Sequence, residues 1–231
     1  NTQGDAVFTI GPKFRSSGNQ STLTDPLVDA LIDLGTNSTG TLRRNAFRLA
    51  FEYMQKSIVP TIELFNMVGH SGGGQLVAAM ATERSDVGCA VMASPAVAEK
   101  VRHRLLGIEL APDLVRRLYD PIDRVADIRP RPDLRMIIVS DDGDRVVPKG
   151  SIEAYLAAVR KRNIPIRHIL ANAADDDRHD AAIHGLRAAV ACSLGFTDAA
   201  IERVVAATVV SHPTMSEMDA MAPMDMMQGA Q

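Results

Sequence analysis

Residues 62–74, IELFNMVGHSGGG, join an apolar run to a glycine-rich turn. The run 62–68 predicts a buried β-strand, and the small-residue segment 75–81 (QLVAAMA) predicts a helix directly after the turn. The pentapeptide between them, GHSGG at 69–73, has the pattern Gly-x-Ser-x-Gly. A strand, this turn and a helix in succession are the setting of a nucleophile elbow, which holds a serine above the edge of a sheet.

The elbow needs glycine on both sides of its serine, Ser71. Positions two before and two after the serine approach each other closely, and Gly69 and Gly73 lack the side chains that would clash there. The N–H of Gly72 would lie at the start of the helix and point at a developing oxyanion. A plain glycine-rich turn and a phosphate-binding loop are the alternatives. A P-loop requires Gly-Lys-Ser/Thr, and the stretch contains no lysine, so we favour the elbow.

Composition places the chain among ordinary globular proteins. It has 231 residues, 46% hydrophobic and 23% charged, which suits one domain with a sizeable core. A net charge of −3 gives no general attraction to nucleic acid or anionic membranes, and no apolar run is long enough to span a bilayer. With no Trp, six Phe and three Tyr, a stacking platform for single-stranded nucleic acid is not expected. Neither nucleic acid nor a membrane is therefore an expected partner.

Strands and helices alternate along the chain. We predict strands at 6–10, 62–68, 87–93, 134–140 and 166–170, and helices at 25–34, 42–58, 75–81, 151–161, 181–194 and 198–209. The strand patterns are mainly apolar rather than alternating, which indicates a mostly parallel, doubly wound α/β sheet covered on both faces.

The chain divides by composition into a domain and a tail. Residues 1–210 form the predicted α/β domain, in which the Arg- and Leu-rich segment 97–125 is either a solvated, partly helical insertion or a small cap over the site. From 211 to 231 the sequence is rich in Met, Asp, Ala and Pro and has no periodic face. Such composition predicts a disordered tail.

Two cysteines do not make a disulfide framework. Cys89 falls in an apolar strand and Cys192 in a helix, so we expect buried free thiols. With no signal peptide visible, a cytoplasmic location is the expectation. The chain begins with Asn1 rather than Met, and we expect that its natural N-terminus lies further upstream.

A serine hydroxyl needs a base within hydrogen-bond reach and a group that orients this base. In doubly wound hydrolases the acid and then the histidine follow the serine, each after a later strand. Asp141, Asp142 and Asp144 follow the strand 134–140 and compete for the role of the acid.

The base is expected after the strand 166–170. His179 lies in a loop there, whereas His184 falls about one turn into the next helix, so we assign His179. His70 flanks the serine inside the elbow and is poorly placed to act as base.

Four segments now carry a resemblance to a known family: VFTIGPKFRSSGN (7–19), MVGHSGGG (67–74), SDDGDRVVP (140–148) and the His179 loop leading into AAVACSLG (188–195). Most of residues 6–195 resembles the α/β-hydrolase serine enzymes, close to their prolyl-oligopeptidase-like and dienelactone-hydrolase-like branches. There the first aspartate of a D-x-x-V-P segment is the triad acid, which implies Asp144 in this chain. The early loop keeps S-S-G but loses the R-P-G that precedes it in those branches, so no role is carried over for that arginine.

The resemblance implies a serine hydrolase that needs no metal or organic cofactor. Ser71 would attack an ester or amide carbonyl, His179 would act as base and then acid, and Asp144 would orient His179. Esterase-like or lipase-like substrates are expected before peptides. The alternatives are a catalytically impaired binding module and an acyltransferase that uses the same triad.

The resemblance also implies that the front of the fold is incomplete. The strand 6–10 resembles the one directly before the elbow strand, so the upstream strands and their oxyanion loop would be absent. Either the sequence is truncated, or the segment 11–14 supplies a substitute N–H donor.

Overall fold

A computed structural model describes residues 8–9, 40–57, 63–173 and 175–207. The predicted helix 25–34, the segment 11–14 and the predicted tail 211–231 lie outside these residues.

In the described part of the chain, five parallel strands form one sheet, and their order across the sheet is their order along the chain. They are β1 (Phe8–Thr9), β2 (Phe65–His70), β3 (Val87–Ala93), β4 (Arg135–Ser140) and β5 (Ile166–Leu170). Parallel neighbours require a crossover between them, because a tight hairpin can join only antiparallel strands. The predicted parallel α/β class is therefore confirmed, and β1 lies beside the elbow strand as expected.

Helices provide these crossovers and extend beyond the last strand. They are α1 (Gly40–Ser57), α2 (Gly72–Glu83), α3 (Glu99–Leu105), α4 (Pro112–Arg117), a 3-10 helix (Pro121–Asp127), α5 (Lys149–Lys161), α6 (Ala182–Ser193) and α7 (Asp198–Ala206). In the described ranges, none of them is both long enough and apolar enough to cross a membrane.

The elbow is tighter than its sequence predicts. β2 runs on to His70 rather than ending at 68, and α2 begins at Gly72 rather than at 75. Ser71 is the single residue between the two elements, so its backbone makes the whole change of direction.

The sheet is packed on both faces. Met67, Met92 and Ile138 belong to a core that includes residues of α2 and α5. Their neighbours along the same strands belong to a second core with α6 and α7, as Val91 and Val139 do. Successive strand residues point to opposite faces, so the apolar runs of β2, β3 and β4 bury both sides of the sheet.

Cys89 of β3 and Cys192 of α6 form a disulfide. The prediction of free thiols is wrong, although both residues are buried as expected. α6 packs against the second face of the sheet and brings the two Cα atoms to 6.2 Å, within the range that a disulfide bridges. The partners are 103 residues apart in sequence, so the pairing follows from tertiary packing and not from any local pattern.

Candidate active site

Ser71 has the strained backbone of an elbow residue. Its φ of 55° and ψ of −118° lie outside the regions that a side chain ordinarily permits. The Ser71 N–H donates to the carbonyl of Ala93 at 2.8 Å, which ties the turn to the end of β3. A non-glycine residue keeps such a conformation only where its surroundings fix it.

Three glycines lack side chains at points where the turn brings backbone segments into contact. A Cβ on Gly69 would stand 2.2 Å from the carbonyl oxygen of Gly73, so two chain segments already touch there. A Cβ on Gly74 would stand 2.6 Å from the Cβ of Pro95, which follows β3. The pattern Gly-x-Ser-x-Gly already identifies Gly69 and Gly73. The structure adds Gly74, whose requirement for glycine could have been inferred from the run of three consecutive glycines.

The predicted oxyanion donor lies in the first turn of α2. Gly72 begins this helix, where backbone N–H groups have no intrahelical acceptor and the helix dipole favours negative charge. The segment 11–14, considered as a source of the second donor, lies outside the described residues.

Asp144 is buried, and both of its carboxylate oxygens have hydrogen-bond partners. Its Oδ1 accepts the N–H groups of Val146 at 2.8 Å and Val147 at 2.7 Å. Its Oδ2 lies 2.9 Å from His179 Nδ1. The backbone donors fix one carboxylate oxygen, so the other is held toward the imidazole.

The other two aspartates of this loop bind elsewhere. Asp142 is exposed and pairs with Lys149 at 2.8 Å. Asp141 is buried and pairs with Arg178 at 2.6 Å. Of the three candidates for the acid, Asp144 is therefore the one that the structure brings to His179.

His179 is held from two sides. Because a carboxylate only accepts, Nδ1–H donates to Asp144, and Nε2 carries the lone pair. On the other side, Nε2 of His70 donates to the backbone carbonyl of His179 at 2.9 Å, and the two ring centroids are 4.9 Å apart. His70 directly precedes Ser71, so the imidazole of His179 lies beside the elbow.

Within the described ranges, Ser71 and His179 make no direct hydrogen bond. Hydrogen bonds between a catalytic base and its nucleophile are often longer in the absence of substrate.

His184 lies on α6, away from Asp144. Its Nδ1 is 3.0 Å from the carbonyl oxygen of Val205, and its Nε2 is 3.0 Å from that of Asn172. The ring therefore joins α6 to the end of α7 and to the segment after β5, which is a structural contact.

The segment 97–125 contacts the loop that carries Asp144. It forms α3, α4 and the 3-10 helix, and Arg102 of α3 donates from Nε to the carbonyl of Val146 at 2.7 Å. Arg104, Arg116 and Arg117 are exposed, whereas Arg102 is partly buried. No group of three or more His, Cys, Asp or Glu in the described part of the chain is placed to hold a metal ion.

Comparison with known proteins finds similarity at the level of structure. No protein-family model matches the chain, and no curated protein matches it. A puromycin hydrolase aligns with a TM-score of 0.50 and 15% identity, over 71% of this chain and 26% of that one. A puromycin-hydrolyzing peptidase of Mycobacterium tuberculosis aligns with a TM-score of 0.53 and 14% identity, over the same 71% and 26%.

The chain spans about a quarter of the length of these two structures. At such identity the similarity concerns the fold, and it agrees with the parallel sheet and the helices packed on both of its faces. The chain has the α/β-hydrolase fold.

Proposed function

We propose that this chain carries the catalytic centre of a serine hydrolase that cleaves a carboxylic ester or amide. The observation on which the proposal depends is the hydrogen bond between His179 Nδ1 and a buried, backbone-fixed Asp144, beside an elbow with a strained Ser71. This arrangement leaves Nε2 of the imidazole able to accept a proton, as a general base must.

The reaction would proceed through an acyl-enzyme. Ser71 Oγ attacks the carbonyl carbon and gives its proton to His179 Nε2. His179 returns this proton to the leaving oxygen or nitrogen as the scissile bond breaks. Water then attacks the acyl-enzyme, again through His179, and releases the acid and the free serine. Asp144 stabilises the imidazolium, and the Gly72 N–H donates to the oxyanion.

The substrate class is an ester or an amide of a small molecule. Esters are the first expectation, since a serine nucleophile cleaves an activated ester with less assistance than an amide. The two solved structures are named for hydrolysis of puromycin, so an aminoacyl amide belongs in the same substrate panel. Acyl transfer would use the same acyl-enzyme intermediate. Product analysis in the presence of an added alcohol or amine distinguishes it from hydrolysis.

A fluorophosphonate probe tests the proposal, because it reacts with a serine activated by its base. We expect the native full-length protein to be labelled and Ser71→Ala to be unlabelled. His179→Ala should abolish labelling, and His184→Ala is the matched control that should retain most of it. Absence of labelling in a folded, full-length protein would exclude the hydrolase.

A binding module without catalysis is the second candidate. It rests on the sequence: Gly72 is the one oxyanion donor that the elbow pattern identifies, and the segment 11–14, considered as a source of the second, lies outside the described residues. Loss of one such donor typically costs about 2.7–4 kcal/mol of transition-state stabilisation. A folded full-length protein that binds a small ester without cleaving it would support this candidate.

The cytoplasmic location remains a prediction. Disulfides form and persist mainly in oxidising compartments, so the Cys89–Cys192 bond does not favour the reducing cytoplasm. Cell fractionation with rapid alkylation of thiols would settle both the compartment and the state of the two cysteines there.

A further inference from the structure

Two loops at the same edge of the sheet are bound to each other. The acid loop (residues 141–147) follows β4, and the histidine loop (residues 175–181) follows β5. Besides the contact between Asp144 and His179, the N–H of Arg145 donates to the carbonyl of Asp177 at 2.9 Å. Neither loop belongs to a helix or strand, so their relative position depends on contacts such as these.

Asp141 adds further contacts between the two loops. It is only 2% exposed, and its Oδ1 accepts the Gly143 N–H at 2.7 Å and pairs with Arg178 at 2.6 Å. Its Oδ2 accepts the N–H of Ala173 at 3.0 Å, from the segment that leads into the histidine loop. Burial by itself would raise the pKa of Asp141, but these hydrogen bonds and the guanidinium outweigh it and hold the pKa below its ordinary value. Asp141 is thus an anion at neutral pH, with donors from both loops.

Arg178 connects this anion to the backbone of the candidate base. It directly precedes His179 and has a φ of 55°, a left-handed conformation that an arginine adopts only when its surroundings fix it. Its guanidinium lies over Gly143, where an added Cβ would stand 2.3 Å from a guanidinium nitrogen. The missing side chain at Gly143 therefore makes room for the ion pair.

Asp175 fixes the next part of the loop. Its Oδ1 accepts the N–H groups of His179 at 2.7 Å and Asp180 at 2.6 Å, while its carbonyl accepts that of Arg178. These bonds shape the histidine loop internally. They do not attach the histidine loop to the end of β4. The ion pair between Asp141 and Arg178 makes that attachment.

We propose that Asp141 and Arg178 are positioning residues that set the imidazole of His179 against Asp144 and Ser71. The inference depends on the proposed hydrolase function. Neither residue touches the reacting atoms; the pair acts by holding the histidine loop on the acid loop. Its loss leaves the triad residues present but lets the base move away from the position from which it accepts the Ser71 proton.

The test replaces Arg178 in the full-length protein by residues that distinguish the effect of its charge from the effect of its backbone conformation. Arg178→Asn tolerates the left-handed conformation and removes the ion pair, whereas Arg178→Lys keeps a positive charge in reach of Asp141. Asp142→Asn is the control, because it removes a neighbouring charge whose partner, Lys149, lies outside both loops. Fluorophosphonate labelling rates, and kcat and KM for an ester that the wild type cleaves, are measured for each.

We expect Arg178→Asn to lower the labelling rate and kcat about tenfold or more with KM within about twofold, because the charge-assisted bond that positions the base is lost. Arg178→Lys should recover part of the loss, and Asp142→Asn should behave as the wild type. A wild-type labelling rate in Arg178→Asn would overturn the inference and leave the hydrolase function intact. A fall in activity that Lys does not relieve, or that Asp142→Asn shares, would also overturn it. Failure of the folded wild type to be labelled rejects the hydrolase function, and the inference with it.

Discussion

His70 donates a hydrogen bond from its imidazole Nε2 to the backbone carbonyl of His179 at 2.9 Å. The residue before the candidate nucleophile therefore holds the residue that would act as its base. The side chain of His70 lies in the elbow and binds the histidine loop through the main chain, which leaves the imidazole of His179 available to Asp144.

His70→Ala should lower kcat about fivefold with little change in KM, because a hydrogen bond of this kind contributes about 1 kcal/mol. His70→Gln places an amide donor near the same carbonyl and should recover part of the loss. Steady-state kinetics on an ester substrate measure both variants. Wild-type kcat in His70→Ala would mean that this bond does not position the base.

Asp144→Asn should lower kcat about 10⁴-fold, as the loss of charge and the wrong imidazole tautomer do in other triads. The N–H groups of Val146 and Val147 both donate to the same carboxylate oxygen, Oδ1. The amide of asparagine has the same shape and retains one such oxygen, so both backbone hydrogen bonds can persist. Asp142→Asn provides the comparison at an exposed site. Equal activity of wild type and Asp144→Asn would move the role of the acid to Asp141 or Asp142.

Gly69→Ala should destabilise the fold by about 1–3 kcal/mol, because the new methyl group would meet the Gly73 backbone at 2.2 Å. The elbow must open to admit it, so activity should fall with stability. Gly150→Ala is a matched control: its Cβ would meet only the flexible end of Leu105 at 3.0 Å, and the change should stay within about 1 kcal/mol. Urea unfolding compares the two, and equal midpoints would contradict the tight elbow.

Removal of the disulfide should cost about 2–5 kcal/mol of unfolding free energy. For a loop of about 100 residues the chain-entropy estimate is about 4.7 kcal/mol, and Cys89 and Cys192 are 103 residues apart. The double variant Cys89→Ala/Cys192→Ala and the wild type with reductant should both unfold at lower urea concentration than the oxidised wild type. Two thiols that react freely in the unfolded, unreduced wild type would show that the bond is not formed.

Acid should weaken the contact between the two loops. The folded pKa of Asp141 is depressed below its ordinary value of 3.8, so its stabilising effect is present above pH 3.8 and is lost as pH falls through the folded pKa. The stability difference between wild type and Asp141→Asn should thus be constant near neutral pH and shrink below about pH 3.8. Urea unfolding at a series of pH values measures this. A difference that grows on acidification would contradict the assigned sign.

The order of the strands, and the positions of the candidate site residues after their carboxyl ends, could be predicted because they depend on local patterns. Ser71, Asp144 and His179 each follow the carboxyl end of a strand, and parallel strands bring those ends to one edge. Contacts made across the fold could not be predicted in this way. Cys192 meets Cys89 only because α6 packs on β3, and Asp141 and Arg178 resemble ordinary solvated turn residues until the two loops are placed side by side.

The Cys89–Cys192 bond has a consequence for the protein after proteolysis. Residues 111–117 are exposed, and a protease that cuts there would separate the segment with Ser71 from the segment with Asp144 and His179. Cys89 lies before this cut and Cys192 after it, so the two pieces would still migrate as one species until a reductant is added. The bond keeps the candidate nucleophile and its base in one covalent unit even when the main chain between them is broken.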